Sequence, residues 1–172
     1  MGKKMKKVVS GVLTFCMVFA LVMSNHTSVS AASVSWNFKD TGFKNLGTIS
    51  SNVTVDGLTL TATSSKTMNV KAESVTVDST NYTYALALGG TGSTSYRSVK
   101  VPVSGASTIK VVLRSSGSDT RTLVVADSNG KQLGTISAAS TASQGTYKYT
   151  GSSGYVYLYS AGSGINLYKI QV

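Results

Sequence analysis

The sequence predicts an all-β chain: an antiparallel, jelly-roll-like β-sandwich of about ten short strands behind an N-terminal signal peptide. Three observations predict it. From residue 33 onward, apolar residues come in short bursts that alternate with polar ones, the pattern of ribbons with one face buried. The bursts are separated by clusters of Ser, Thr, Gly and Asn that favour turns. No stretch sustains a 3.6-residue apolar period, which argues against helices.

The first element is not part of the sandwich. Lys3, Lys4, Lys6 and Lys7 precede an apolar run from Val8 to Met23, and a polar stretch then leads to "SVSAAS". A charged start, an apolar middle and a small-residue cleavage site make a secretory signal, cut after Ala31 or Ala32. The apolar run is interrupted by Ser10 and Gly11 and falls short of the roughly 20 residues of a membrane span. A bulky Phe15 before Cys16 argues against a lipoprotein. The expected division is therefore a signal at 1–32 and one secreted domain at 33–172.

The strands follow in order. "NVTVDGLTLTAT" (52–63) reads as a hairpin around Asp56-Gly57. "MNVKAESVTVD" (68–78) supplies one or two strands, and "TNYTYALAL" (80–88), "YRSVKVPVSG" (96–105) and "STIKVVLRSS" (107–116) supply one each. "RTLVVADSNGKQLGTIS" (121–137) holds two strands that turn at "DSNG". "TYKYTG" (146–151), "GYVYLYS" (154–160) and "GINLYKIQV" (164–172), the last apolar on both faces, close the series. The single proline, Pro102, cannot donate to a ladder, which suggests an edge strand. "GGTGSTS" (89–95) and "AASTASQG" (138–145) read as loops.

Removal of the signal takes away Cys16 and His26, the only cysteine and histidine, and leaves twelve basic residues against six acids, a net charge of +6. Such a domain relies on its core and hydrogen bonds, not on disulfides. Its charge suits acidic polymers. No basic run interleaved with aromatics occurs after the signal, so nucleic acid is not an expected partner, nor is a membrane once the signal is cleaved.

Without His or Cys, the common nucleophile and base pairs are missing. Of Asp40, Asp56, Glu73, Asp78, Asp119 and Asp127, most sit in apparent turns, so no facing pair of acids suggests glycoside hydrolysis. "DSNG" resembles a fragment of a calcium loop but lacks its further carboxylates; a structural Ca²⁺ is the one cofactor left open, and none is expected otherwise. What remains is a binding surface: Trp36 and nine tyrosines to stack on sugar rings, and Arg97, Arg114 and Arg121 to grip carboxylates. The three arginines stand at strand ends and can converge at one end of a sandwich. In "IKVVLRSS", Lys110 and Arg114 share a face with Val112, opposite Ile109, Val111 and Leu113. In "GYVYLYS", Tyr155, Tyr157 and Tyr159 share one face, either as a stacking platform or as cross-strand packing.

Taken together, "WNFKDTGFKNLGTISSNVTVDGLTLTAT", "GGTGSTSYRSV", "SSGSDTRTLVV" and "GINLYKI" resemble, in order and spacing, the non-catalytic β-sandwich modules attached to secreted bacterial pectate lyases. The resemblance spans residues 36–172. It implies recognition of homogalacturonan or low-ester pectin, with basic side chains meeting uronate carboxylates. By position in those motifs, Arg97 and Arg121 are the implied contacts. Arg114, Lys66 and Lys71 extend the basic surface, and Tyr96 or Tyr157 stacks on a ring. No residues match a lyase's calcium-binding acids or catalytic base, so no enzyme activity is carried over. The expectation is a secreted, free-standing, monomeric pectin-binding module. Its rivals are a structural or adhesive surface protein and a stand-alone fragment of a pectate lyase.

Overall fold

The computed structural model describes residues 33–172, so the signal read at 1–32 lies outside the described residues. In chain order the elements are β1 (Ser35–Asn37), α1 (Thr41–Lys44), β2 (Thr48–Ile49), β3 (Val53–Val55), β4 (Leu58–Thr61), β5 (Met68–Val77), β6 (Thr80–Ala87), β7 (Ser98–Val103), β8 (Ser107–Ser115), β9 (Arg121–Ala126), β10 (Gln132–Ala138), β11 (Ser143–Tyr149), β12 (Gly154–Ser160) and β13 (Ile165–Gln171). They form an antiparallel β-sandwich. One sheet has the order β11-β8-β13-β6-β5-β2 with β1 on β13, and the other β10-β9-β12-β7-β4-β3. The strands beyond the expected ten include β1 and β2, three and two residues long, too short for alternation to show.

Alternation decides what lies between the sheets. Val99, Val101 and Val103 of β7, Val156 and Leu158 of β12, and Leu123 and Val125 of β9 meet Val70, Leu86, Val111, Leu113 and Leu167 of the other sheet in one core. The segment before β2 caps this core. Trp36 is buried, and its indole N–H donates to the Asp56 carbonyl at 2.9 Å, tying β1 of one sheet to the β3–β4 turn of the other. Phe38 and Phe43 pack edge to face at 5.2 Å. Trp36, counted above among the stacking aromatics, is thus a core residue.

Asp56 and Gly57 both take positive φ (48° and 80°), the two-residue hairpin turn that the sequence signals. Asp78 and Ser79 make the same shape between β5 and β6, at 47° and 61°, without a glycine. Pro102 departs from expectation, because β7 is an interior strand paired with both β12 and β4. The β4 ladder reaches only Lys100, through Thr59. Pro102 lies past that end, where the missing N–H interrupts no bond to β4.

Two bulges shape the seven-stranded sheet. The register of β5 on β6 shifts between Ala72 and Val75, and that of β13 on β8 between Leu167 and Lys169. β6 pairs with β13 only through Leu86 and Ala87, and β1 takes over along β13 from Lys169. The far half of the β5–β6 hairpin packs Val77 and Tyr82 with Ala85, Val112 and Tyr168 in a second, smaller apolar cluster.

Candidate functional site

Because Val156 and Leu158 point into the core, the tyrosines of β12 point out. The row runs along the outer face of the six-stranded sheet, about 13 Å from Tyr155 to Tyr159 at the rise of an extended strand. Tyr155 is 48% exposed, one of two large hydrophobic side chains so open among the described residues. Tyr157 and Tyr159 are half-buried, and their β9 neighbours Ala126 and Val124 are buried. On the other flank, β7 places Pro102, Lys100 and Ser98 opposite the three tyrosines in turn. The Lys100 ammonium sits over the Tyr155 ring, 4.0 Å from its centroid. Beyond Lys100 the face continues through Thr59 to Thr54, whose hydroxyls are 2.9 Å apart.

The strand directions bring Arg97 and Arg121 to one end of the sandwich, since β7 and β9 both begin where β12 ends. Each guanidinium is bound to the fold itself. Arg97 Nε donates to the Thr67 carbonyl at 3.1 Å, and its head lies against Gly89 and Gly90. A Cβ at Gly90 would come 2.8 Å from Arg97 Nη1. Arg97 itself holds a positive φ of 47°, which ends the alternation of β7 and sets it at the rim. Arg121 Nη1 donates to Ser116 Oγ at 2.7 Å and to the Gly164 carbonyl, joining two loops. Lys66 and Tyr96 stand at the same end, with the Lys66 ammonium 5.9 Å from the centre of the Tyr96 ring.

Arg114 and Lys71 are elsewhere, on the outer face of the seven-stranded sheet. Arg114 follows Val112 on the side away from the core, as alternation predicts. The bulge in β5 aims Glu73 across β6, where Ala85 leaves room, and the carboxylate gathers partners from three strands. It accepts from Arg114 Nε at 3.0 Å, from Asn166 Nδ2 at 2.8 Å and from the Tyr168 hydroxyl at 2.5 Å, and pairs with Lys71 Nζ at 2.9 Å. Burial pushes the Glu73 carboxyl up, but the hydrogen bonds of Lys71, Tyr168 and Asn166 and the charge of Lys71 outweigh it. The pKa falls from 4.5 to about 2. Burial, and then the bond to Glu73, push the Tyr168 hydroxyl well above the usual range. A carboxylate so ionised and so fully engaged is a clasp between strands, not a proton donor at neutral pH.

Among the described residues no three acidic side chains converge. Asp127, the acid of "DSNG", accepts at Oδ1 from the Asn129 and Lys131 amides, both at 2.9 Å, and so builds its own turn. Sequence reading places Tyr155 in the row but singles out Tyr157, whereas Tyr155 is the open member, and it misses Lys100. The alternation of "SVKVPV" puts Lys100 outside, but its partner depends on the β7–β12 register, which no local signal carries.

No protein-family model matches the chain, and no curated protein matches it. Among solved structures, the chain is similar to the native structure of a family 35 carbohydrate binding module from Clostridium thermocellum. The TM-score is 0.43 at 10% identity, covering 82% of this chain and 97% of that one.

Proposed function

We propose that the chain is a secreted, non-catalytic module that binds an acidic polysaccharide, homogalacturonan or low-ester pectin, on the outer face of the six-stranded sheet. The observation that carries this reading is the pairing of an exposed aromatic with an uncompensated cation. Tyr155 offers an open ring, and Lys100 beside it rests on that ring with no carboxylate partner among the described residues. Stacking on sugar C–H faces needs the first, and recognition of a uronate needs the second. Tyr157, Tyr159 and the Thr54–Thr59 hydroxyls extend the same surface. On this reading Arg97 and Arg121 brace the loops, and Arg114 and Lys71 belong to the Glu73 clasp.

The test is electrophoresis of the protein through gels containing pectins of graded methyl-esterification, with an eliminase assay alongside. Retardation that grows as esterification falls, that weakens with salt and that yields no unsaturated product supports the reading. Unretarded migration through polygalacturonate, or release of unsaturated product, overturns it.

A further inference from the structure

Two lysines stand over tyrosine rings, Lys100 at 4.0 Å from the centre of Tyr155 and Lys66 at 5.9 Å from that of Tyr96. Neither is ion-paired among the described residues. They stand at opposite ends of the tyrosine row. In the β12–β7 ladder, Tyr155 faces Pro102 at one end and Tyr159 faces Ser98 at the other. Tyr96 lies two residues beyond Ser98, on the loop whose Gly92 amide donates to the Ser160 carbonyl of β12. Lys66 belongs to the β4–β5 loop, which leaves the same sheet after Thr61, the partner of Ser98.

Resting on the reading above, we propose that these two lysines form a length gauge for a linear polyanion lying along β12. One anionic group of the ligand reaches Lys100, and another reaches Lys66. Lys100 rests at Tyr155 and Lys66 lies beyond the Tyr159 end of the row, about 13 Å along β12, so no single acidic sugar meets both cations. Charge complementarity favours this occupant. The acid that follows the row's β9 neighbour, Asp127, has Oδ1 turned to backbone amides, and both row-end cations are left to an external anion. The face therefore selects internal stretches of polymer over monomers and dimers.

Titration calorimetry of the protein with oligogalacturonates of increasing length tests this. Affinity should rise with length and level off once the ligand spans both lysines. Lys66→Ala should leave the shortest binding oligomers unchanged and lower the plateau by about three- to fivefold. Lys100→Ala should weaken short and long ligands alike. Lys66 is exposed, so its truncation spares the core, and a circular dichroism spectrum unchanged from the parent checks the fold. A Lys66→Ala loss that is the same at every length, or no loss at any length, overturns the gauge while leaving the binding face intact. Absence of binding by the unsubstituted protein at every length overturns the proposed function itself, and the gauge with it.

Discussion

The Lys100 ammonium lies 4.0 Å from the centre of the Tyr155 ring, on the outer face of a sheet whose opposite face is the core. The β7–β12 register makes this contact: Lys100 is paired with Tyr157, and Tyr155 is the next outward residue along β12. The ring holds the ammonium in place without neutralising it, as a carboxylate would. Tyr155→Ala should cost about 1 kcal/mol of polysaccharide binding, a loss of three- to tenfold, and Tyr155→Phe should cost little. Lys100→Ala should also flatten the salt dependence of binding, which calorimetry at several ionic strengths measures.

Arg97 and Arg121 should behave as braces. Arg97→Ala leaves the Thr67 carbonyl without its side-chain donor, and Arg121→Ala removes the guanidinium that joins Ser116 Oγ to the Gly164 carbonyl, which keeps only the Ser116 amide and hydroxyl. Each should lower stability to denaturant by about 1–2 kcal/mol. The fraction that stays folded should bind acidic polysaccharide as the parent does. Normal stability with lost binding would return both arginines to the ligand.

The Glu73 clasp sets the acid limit of the fold. Its carboxyl titrates at about 2 in the folded chain against 4.5 ordinarily, so its stabilisation is complete above about pH 4.5 and is lost as pH falls toward 2. That shift corresponds to about 3 kcal/mol. Glu73→Gln should forfeit a comparable amount near neutral pH and remove most of the stability loss between pH 5 and 2. Urea melts across that range measure both effects.

The turn between β5 and β6 carries avoidable strain. Ser79 holds a φ of 61°, a left-handed conformation that costs a residue with a side chain about 1 kcal/mol. Ser79→Gly would create the Asp-Gly pair already present at Asp56-Gly57. After the entropy lost on ordering a glycine, it should raise stability by about 0.5 kcal/mol in denaturant melts.

Much of the fold was legible because the strands obey alternation, and the Asp56-Gly57 and "DSNG" turns carry local chemistry. The bulge in β13 shows in the parity of its apolar residues: Ile165 and Leu167 point inward at odd positions and give way to Ile170 at an even one. That slip explains why "GINLYKIQV" reads as apolar on both faces. The bulge in β5 leaves no such mark, since Val75 and Val77 turn outward at odd positions, as alternation from Met68 and Val70 requires. The partnership of Glu73 with Tyr168 needs β5 and β13 on either side of β6, a long-range fact. Pro102 misled because an interior strand can be unpaired at its tip. The arginines reached one end of the sandwich, but the glycine loops that occupy their guanidinium groups are a matter of packing. Lys100 and Tyr155 come from strands more than fifty residues apart, and only the register joins them.

The most direct measurement is a nuclear magnetic resonance titration of the protein with a soluble oligogalacturonate, following backbone amides and tyrosine rings. Perturbations should concentrate at Tyr155, Tyr157, Tyr159 and Lys100, with the Lys71–Glu73–Arg114 face unchanged. Perturbations centred on that opposite face, or none at saturating ligand, would contradict the proposed binding face.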